Sequence, residues 1–148
     1  MMTGATGSCA CGAVRYRLLS EPFDTGWCHC RNCQLTSGAP AMVFSTVPRD
    51  DYRIESGQDL IGRHESSSFG ARRFCSECGT PLTFETNFQP DTIDFTVATL
   101  NDPSSVTPGF HIFYGSRIPW AEASDTLPRH DKFRPDTRGL PDGEVPQC

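Results

Sequence analysis

Ile93-Asp94-Phe95-Thr96-Val97-Ala98-Thr99-Leu100 reads as a β-strand. Apolar and polar side chains alternate through it and β-branched residues dominate, the pattern of a segment with one face on a core and the other toward water. Shorter runs of the same kind lie on both sides. Arg15-Tyr16-Arg17-Leu18 follows Val14, Met42-Val43-Phe44 follows Pro40, and Asp51-Tyr52-Arg53-Ile54 stops at Glu55-Ser56-Gly57. Ser68 to Phe74, Leu82-Thr83-Phe84-Glu85 and Phe110-His111-Ile112-Phe113-Tyr114 complete the set, each bounded by turn residues. The one helix expected is short, around Arg31 to Thr36. No internal repeat interrupts this succession, and it predicts an all-β, mainly antiparallel domain over residues 7–127. Pro128, Pro135, Pro141 and Pro146, with Asp142-Gly143, mark residues 128–148 as a Pro-rich tail, extended or disordered on the surface.

Composition narrows the class. A chain of 148 residues with ten Phe can build an apolar core without disulfides. No apolar run approaches the ~20 residues of a membrane span, and the first seven residues lack the basic start and apolar stretch of a signal peptide. A reducing compartment, the cytoplasm, is the expected setting. The net charge is −5 and no basic run tracks a phosphate backbone, so neither nucleic acid nor a membrane is an expected partner. Lys132 is the only lysine against twelve arginines, a bias read as compositional. An exposed strand edge is compatible with a dimer, but the sequence demands none.

Seven of the eight cysteines fall into three clusters: Cys9-Ala10-Cys11, Cys28-His29-Cys30-Arg31-Asn32-Cys33 and Cys75-Ser76-Glu77-Cys78. Clustered thiols in a reducing compartment point to metal, above all zinc, rather than to disulfides. Pairing Cys30/Cys33 with Cys75/Cys78 would leave a gap of 41 residues, well beyond a zinc ribbon's ~15–20. Gly12 follows Cys11 and Gly79 follows Cys78, and a glycine there lets the backbone take a positive φ and turn N–H groups toward sulfur. Cys9, Cys11, Cys75 and Cys78 are therefore expected to share one closed structural zinc. Cys28, Cys30 and Cys33 remain, and three protein ligands with an open fourth position are the pattern of a catalytic zinc. The alternative is a second structural site closed by His29, His64, His111, His130 or Cys148.

These cysteine motifs resemble the glutathione-dependent formaldehyde-activating family, whose domain also occurs in relatives of centromere protein V. Gly7 to Val14, Cys28 to Cys33 and Phe74 to Gly79 carry the resemblance, with weaker matches at Thr99 to Pro103, His111-Ile112 and Pro119-Trp120. The resemblance implies a zinc-stapled β-tent fold with little helix. It also implies a structural zinc on the first and third clusters and a labile catalytic zinc on the middle one. The implied reaction is that of a carbon–sulfur lyase, joining glutathione or a related small thiol to formaldehyde.

Chemistry at the middle cluster fits thiols better than water. Three thiolates leave a bound zinc formally at −1, which weakens its Lewis acidity while still holding a thiol substrate ionised. Glutathione is anionic, so an arginine is needed for its carboxylates, and Arg31, inside the trio, is either that residue or a solvated surface charge. His29 is a proton shuttle or a spacer between ligands. Trp120 and Phe113 are pocket walls or core. The competing class is a non-catalytic zinc-stapled binding module.

Overall fold

The computed structural model describes residues 4–134. Ten strands and one helix follow in chain order: β1 (Thr6–Ser8), β2 (Arg15–Leu18), β3 (Phe23–Cys28), α1 (Arg31–Ser37), β4 (Met42–Pro48), β5 (Tyr52–Ser56), β6 (Ile61–Glu65), β7 (Gly70–Cys75), β8 (Pro81–Thr86), β9 (Thr92–Thr96) and β10 (His111–Ile112). They form a three-stranded sheet, β1-β2-β5, and a seven-stranded sheet, β10-β3-β4-β9-β8-β7-β6. Every pairing is antiparallel except β10 with β3. The protein is thus mainly antiparallel β with little helix, as its alternating runs predict.

One core cluster brings Tyr16 and Leu18 of β2 together with Val47, Ile93 and Phe95 of the large sheet. Tyr16 is fully buried and stacks on Tyr52 at 4.5 Å, and its hydroxyl is hydrogen-bonded to Thr99 Oγ1 at 2.7 Å. A buried phenol needs such a partner. Thr99 also corrects the sequence reading. The strand expected to reach Leu100 ends at Thr96, where Thr99 Oγ1 donates to the Thr96 carbonyl (2.6 Å) and Leu100 N–H to Val97 (3.0 Å). These local bonds turn the chain into a 3-10 turn over Val97–Thr99.

Phe110 to Tyr114 is likewise shorter than its pattern suggests. Only His111 and Ile112 pair with β3, and Phe113 leaves the strand with φ at +52°. The first tail residues lie against this segment: His111 N–H donates to Pro128, Tyr114 N–H to His130 and Phe113 N–H to Lys132, each within 3.0 Å.

Candidate metal centre and active-site cleft

Two tight turns build the first sulfur group. Cys9 opens the turn after β1, and Cys75 closes β7. In the first turn Gly12 N–H donates to Cys9, in the second Gly79 N–H donates to Cys75, and both glycines stand at φ +80°. Val14 N–H points at Cys9 Sγ (3.2 Å), and Ala10 N–H donates to Thr80 Oγ1, tying the turns together. The sulfurs of Cys9, Cys11, Cys75 and Cys78 all lie within 4.8 Å of one another, with 3.5 Å between Cys9 and Cys11 and 3.9 Å between Cys11 and Cys75. A tetrahedron of zinc–sulfur bonds of about 2.3 Å has sulfur–sulfur edges of about 3.8 Å, so the donor set fits that ion. Hydrogen bonds with the hydroxyl and backbone of Thr80 bring the Cys78 thiol down to about 5.

The second group forms where β3 runs into α1. Cys28 ends the strand, Cys30 caps the helix, and Cys33 lies one turn inside it. Cys33 N–H donates to Cys30 Sγ at 3.3 Å, so sulfur takes the part an N-cap oxygen normally plays. The three sulfurs are buried and lie within 4.8 Å of one another. Among the described residues no histidine or carboxylate joins them; Cys148 lies outside those residues. The hydrogen bond between Cys28 and Cys33, with burial, pushes the Cys28 thiol up. The same bond, with the nearby Arg72 guanidinium, overcomes burial and brings Cys33 down to about 7.

Arg72 is the candidate site residue that sequence reading missed. It is 6% exposed, and its Nη2 donates to Cys33 Sγ at 3.5 Å while Nε donates to Ser66. Its guanidinium lies 4.7 Å from the centre of the Phe84 ring, the cross-strand neighbour on β8. A buried cation needs an anionic partner, and a thiolate group supplies one. The available signal was an arginine on a strand whose two preceding residues, Gly70 and Ala71, are small and core-compatible.

Cys28 and Cys33 open into a cleft with about 70 Å³ of free space. The cleft also contains Arg72 and Arg134, the latter paired with Asp24 at 3.0 Å. Arg31 does not line it: its exposed guanidinium donates to Gln34 Oε1 (2.6 Å), and Gln34 in turn holds the His29 carbonyl. Phe113 is a cleft wall, whereas Trp120 is 77% exposed and stands elsewhere. Asp24 and Phe113 are the two non-glycine residues with positive φ among the described residues, and both border the cleft. Backbone strain of this kind collects at functional sites.

His29 is turned to other partners. Its Nε2 lies 2.8 Å from His111 Nδ1, and His111 Nε2 lies 3.0 Å from Asp125. With Asp125 accepting from His111 Nε2–H, His29 donates through Nε2–H, and its buried Nδ1 keeps a lone pair without a partner. Burial first, then the neighbouring His111 and Arg117, bring His29 down to about 4, so it is neutral at pH 7. It does not line the cleft.

Residues 4–116 match the family model described as glutathione-dependent formaldehyde-activating enzyme. The chain belongs to that family. An uncharacterized lyase of Schizosaccharomyces pombe is 35% identical over 78 residues, 53% of this chain and 55% of that protein. A putative glutathione-dependent formaldehyde-activating enzyme of Halomonas elongata is 27% identical over 123 residues, 78% of each chain. One of the same description from Podospora anserina is 30% identical over 81 residues, 53% of this chain and 38% of that one. The match thus spans about half of the fission yeast relative's length. A crystal structure of a Rhodobacter sphaeroides protein shares the fold, with a TM-score of 0.57 and 24% identity over 84% of this chain and 98% of that one. Each of the two sulfur groups could hold a metal ion. Among the described residues no helix is long and apolar enough to cross a membrane.

Proposed function

We propose that the protein is a zinc-dependent carbon–sulfur lyase that makes and breaks adducts between a small thiol, such as glutathione, and an aldehyde. The observation that carries this reading is the buried trio of Cys28, Cys30 and Cys33, whose sulfurs lie within 4.8 Å of one another beside a cleft. Cys9, Cys11, Cys75 and Cys78 would hold a structural zinc, and the trio a second, labile one. Zinc on the trio would supply a position at which a thiol substrate is kept ionised at neutral pH. A reducing compartment such as the cytoplasm, which favours thiols over disulfides, is the setting that suits this chemistry.

The chain's own residues set the electrostatics. Three thiolates and one divalent ion would leave a charge of −1, which the Arg72 guanidinium, 3.5 Å from Cys33 Sγ, would offset. The Cys33 N–H holds Cys30 Sγ in place, and Gln34 fixes the backbone of His29 between the ligands. In the forward direction the substrate's sulfur electron pair forms a bond to the carbonyl carbon, and the C=O π pair moves to oxygen. The oxygen takes up the proton the thiol gave up, and the lyase direction reverses each step. A cleft of about 70 Å³ is about half the size of a cavity of ~150 Å³ that holds benzene. It admits the reacting groups, while the rest of a tripeptide must lie across its rim.

Calorimetric titration of the zinc-loaded protein with glutathione, followed by product detection with formaldehyde, tests the proposal. Binding by the native protein and its loss in Cys30→Ala are expected. Thiol binding that survives Cys30→Ala removes the trio from the mechanism. No thiol binding by fully metallated protein would instead favour a non-catalytic zinc-stapled module.

A further inference from the structure

Resting on that reading of the trio, we infer that the cleft selects the aldehyde by a small apolar substituent, so that a short aliphatic aldehyde such as acetaldehyde or propanal is preferred over formaldehyde. Six phenylalanines line the cleft beside Cys28 and Cys33: Phe44, Phe84, Phe88, Phe110, Phe113 and Phe133. They come from two strands, three connecting segments and the chain after Pro128, so the aromatic lining is assembled by the fold and not by one local motif. Formaldehyde has no side group to set against such walls. Each methylene added in an apolar pocket is worth about tenfold or more in kcat/KM.

The charged groups nearby are already engaged. Arg72 is directed at Cys33 and Phe84, and Arg134 pairs with Asp24 while lying 4.4 Å from the Phe110 ring centre. Neither arrangement resembles a seat for a free carboxylate. The alkyl group of the aldehyde meets the rings.

Gly26 shows how closely the wall is fitted. A Cβ at this position would stand 2.2 Å from the Phe110 ring, so the ring lies directly on the glycine backbone. Gly26→Ala displaces that ring, and Phe110→Ala removes it.

Two measurements on the full-length zinc-loaded protein test the inference. The first is rate enhancement over the uncatalysed addition, with glutathione held constant and formaldehyde, acetaldehyde and propanal compared. The expected enhancement for propanal exceeds that for formaldehyde at least tenfold, and Phe110→Ala and Gly26→Ala pull the ratio toward one. The second is saturation-transfer NMR with 1-propanol, which lacks a carbonyl and cannot react. Transfer to 1-propanol that Phe110→Ala abolishes shows occupancy separately from chemistry. Turnover of formaldehyde with no preference for propanal and no propanol signal overturns the inference and leaves the lyase reading intact. Propanol binding without turnover of any aldehyde overturns the lyase reading and leaves an apolar ligand pocket.

Discussion

Arg72 carries a full positive charge into a place that water barely reaches, and a thiolate group is what makes that placement tolerable. The pairing works in both directions. The guanidinium favours ionised Cys33, and ionised sulfurs are what a metal binds. Groups that hydrogen-bond to metal ligands typically contribute 10–100-fold to affinity. Arg72→Met keeps the apolar stem over Phe84 and deletes the charge. Its expected effect is a loss of roughly 10–100-fold in zinc affinity at the trio, read by equilibrium competition with a chromogenic chelator. Affinity equal to that of the native protein would show that Arg72 only fills space. The same residue marks the boundary of what sequence could reveal. Ligand cysteines announce themselves through spacing that spans two or three residues, and Gly12 and Gly79 take the positive φ their positions suggest. Arg72 lies 39 residues from Cys33, so only strand pairing brings them together. Arg31, close in sequence, turns to Gln34 instead.

Strands β7 and β8 and the turn after β4 are tied by one carboxylate. Glu85 accepts from Arg73 Nε at 2.8 Å and from Arg49 Nη1 at 3.0 Å, and its side chain is 15% exposed. Burial alone would raise this carboxyl, but the two guanidiniums outweigh it and hold it below its usual value of 4.5. A group depressed in the folded state adds stability that is fully present above its unfolded pKa and lost as pH falls through the folded one. Glu85→Gln is therefore expected to cost about 1.5–3 kcal/mol at pH 7. The gap to the native protein should stay constant down to about pH 4.5 and close below it. Denaturant melts of both proteins from pH 7 to 4 check this, and a gap that widens in acid would contradict the assignment. The elements differ in how far sequence betrays them. Alternation exposes β2, β5 and β9. It fails for β3, where Asp24 and Gly26 are poor strand residues and the register shifts between Phe23 and Gly26. It fails again for β6, an edge strand reading Ile-Gly-Arg-His-Glu, since edges are kept polar to discourage further pairing. The cleft was illegible for the same reason as Arg72, its walls being drawn from segments as distant as Phe44 and Phe133.

Across the whole molecule the two sulfur groups differ in what they span. Cys9 and Cys11 follow β1 of the small sheet, while Cys75 and Cys78 follow β7 of the large one, so metal there would clamp the two sheets across a loop of more than 60 residues. Closing so long a loop only in the folded state makes metal affinity part of folding free energy. Cys28, Cys30 and Cys33 sit within six residues at one strand–helix junction, so metal there closes no long loop. Accessibility runs the other way: Cys11 and Cys78 are exposed, whereas the trio is buried. A chelator can therefore reach the four-sulfur group first while equilibrium favours emptying the three-sulfur group first. Equilibrium competition, not release rate, separates the two. Under increasing chelator the first zinc to leave should come from the trio, with far-UV circular dichroism unchanged. The second should leave together with cooperative unfolding. Cys78→Ala should already be aggregated or unfolded as expressed, and Cys33→Ala soluble with a near-native melt. A folded Cys78→Ala protein, or unfolding that accompanies the first zinc, would reverse the assignment of structural and labile sites.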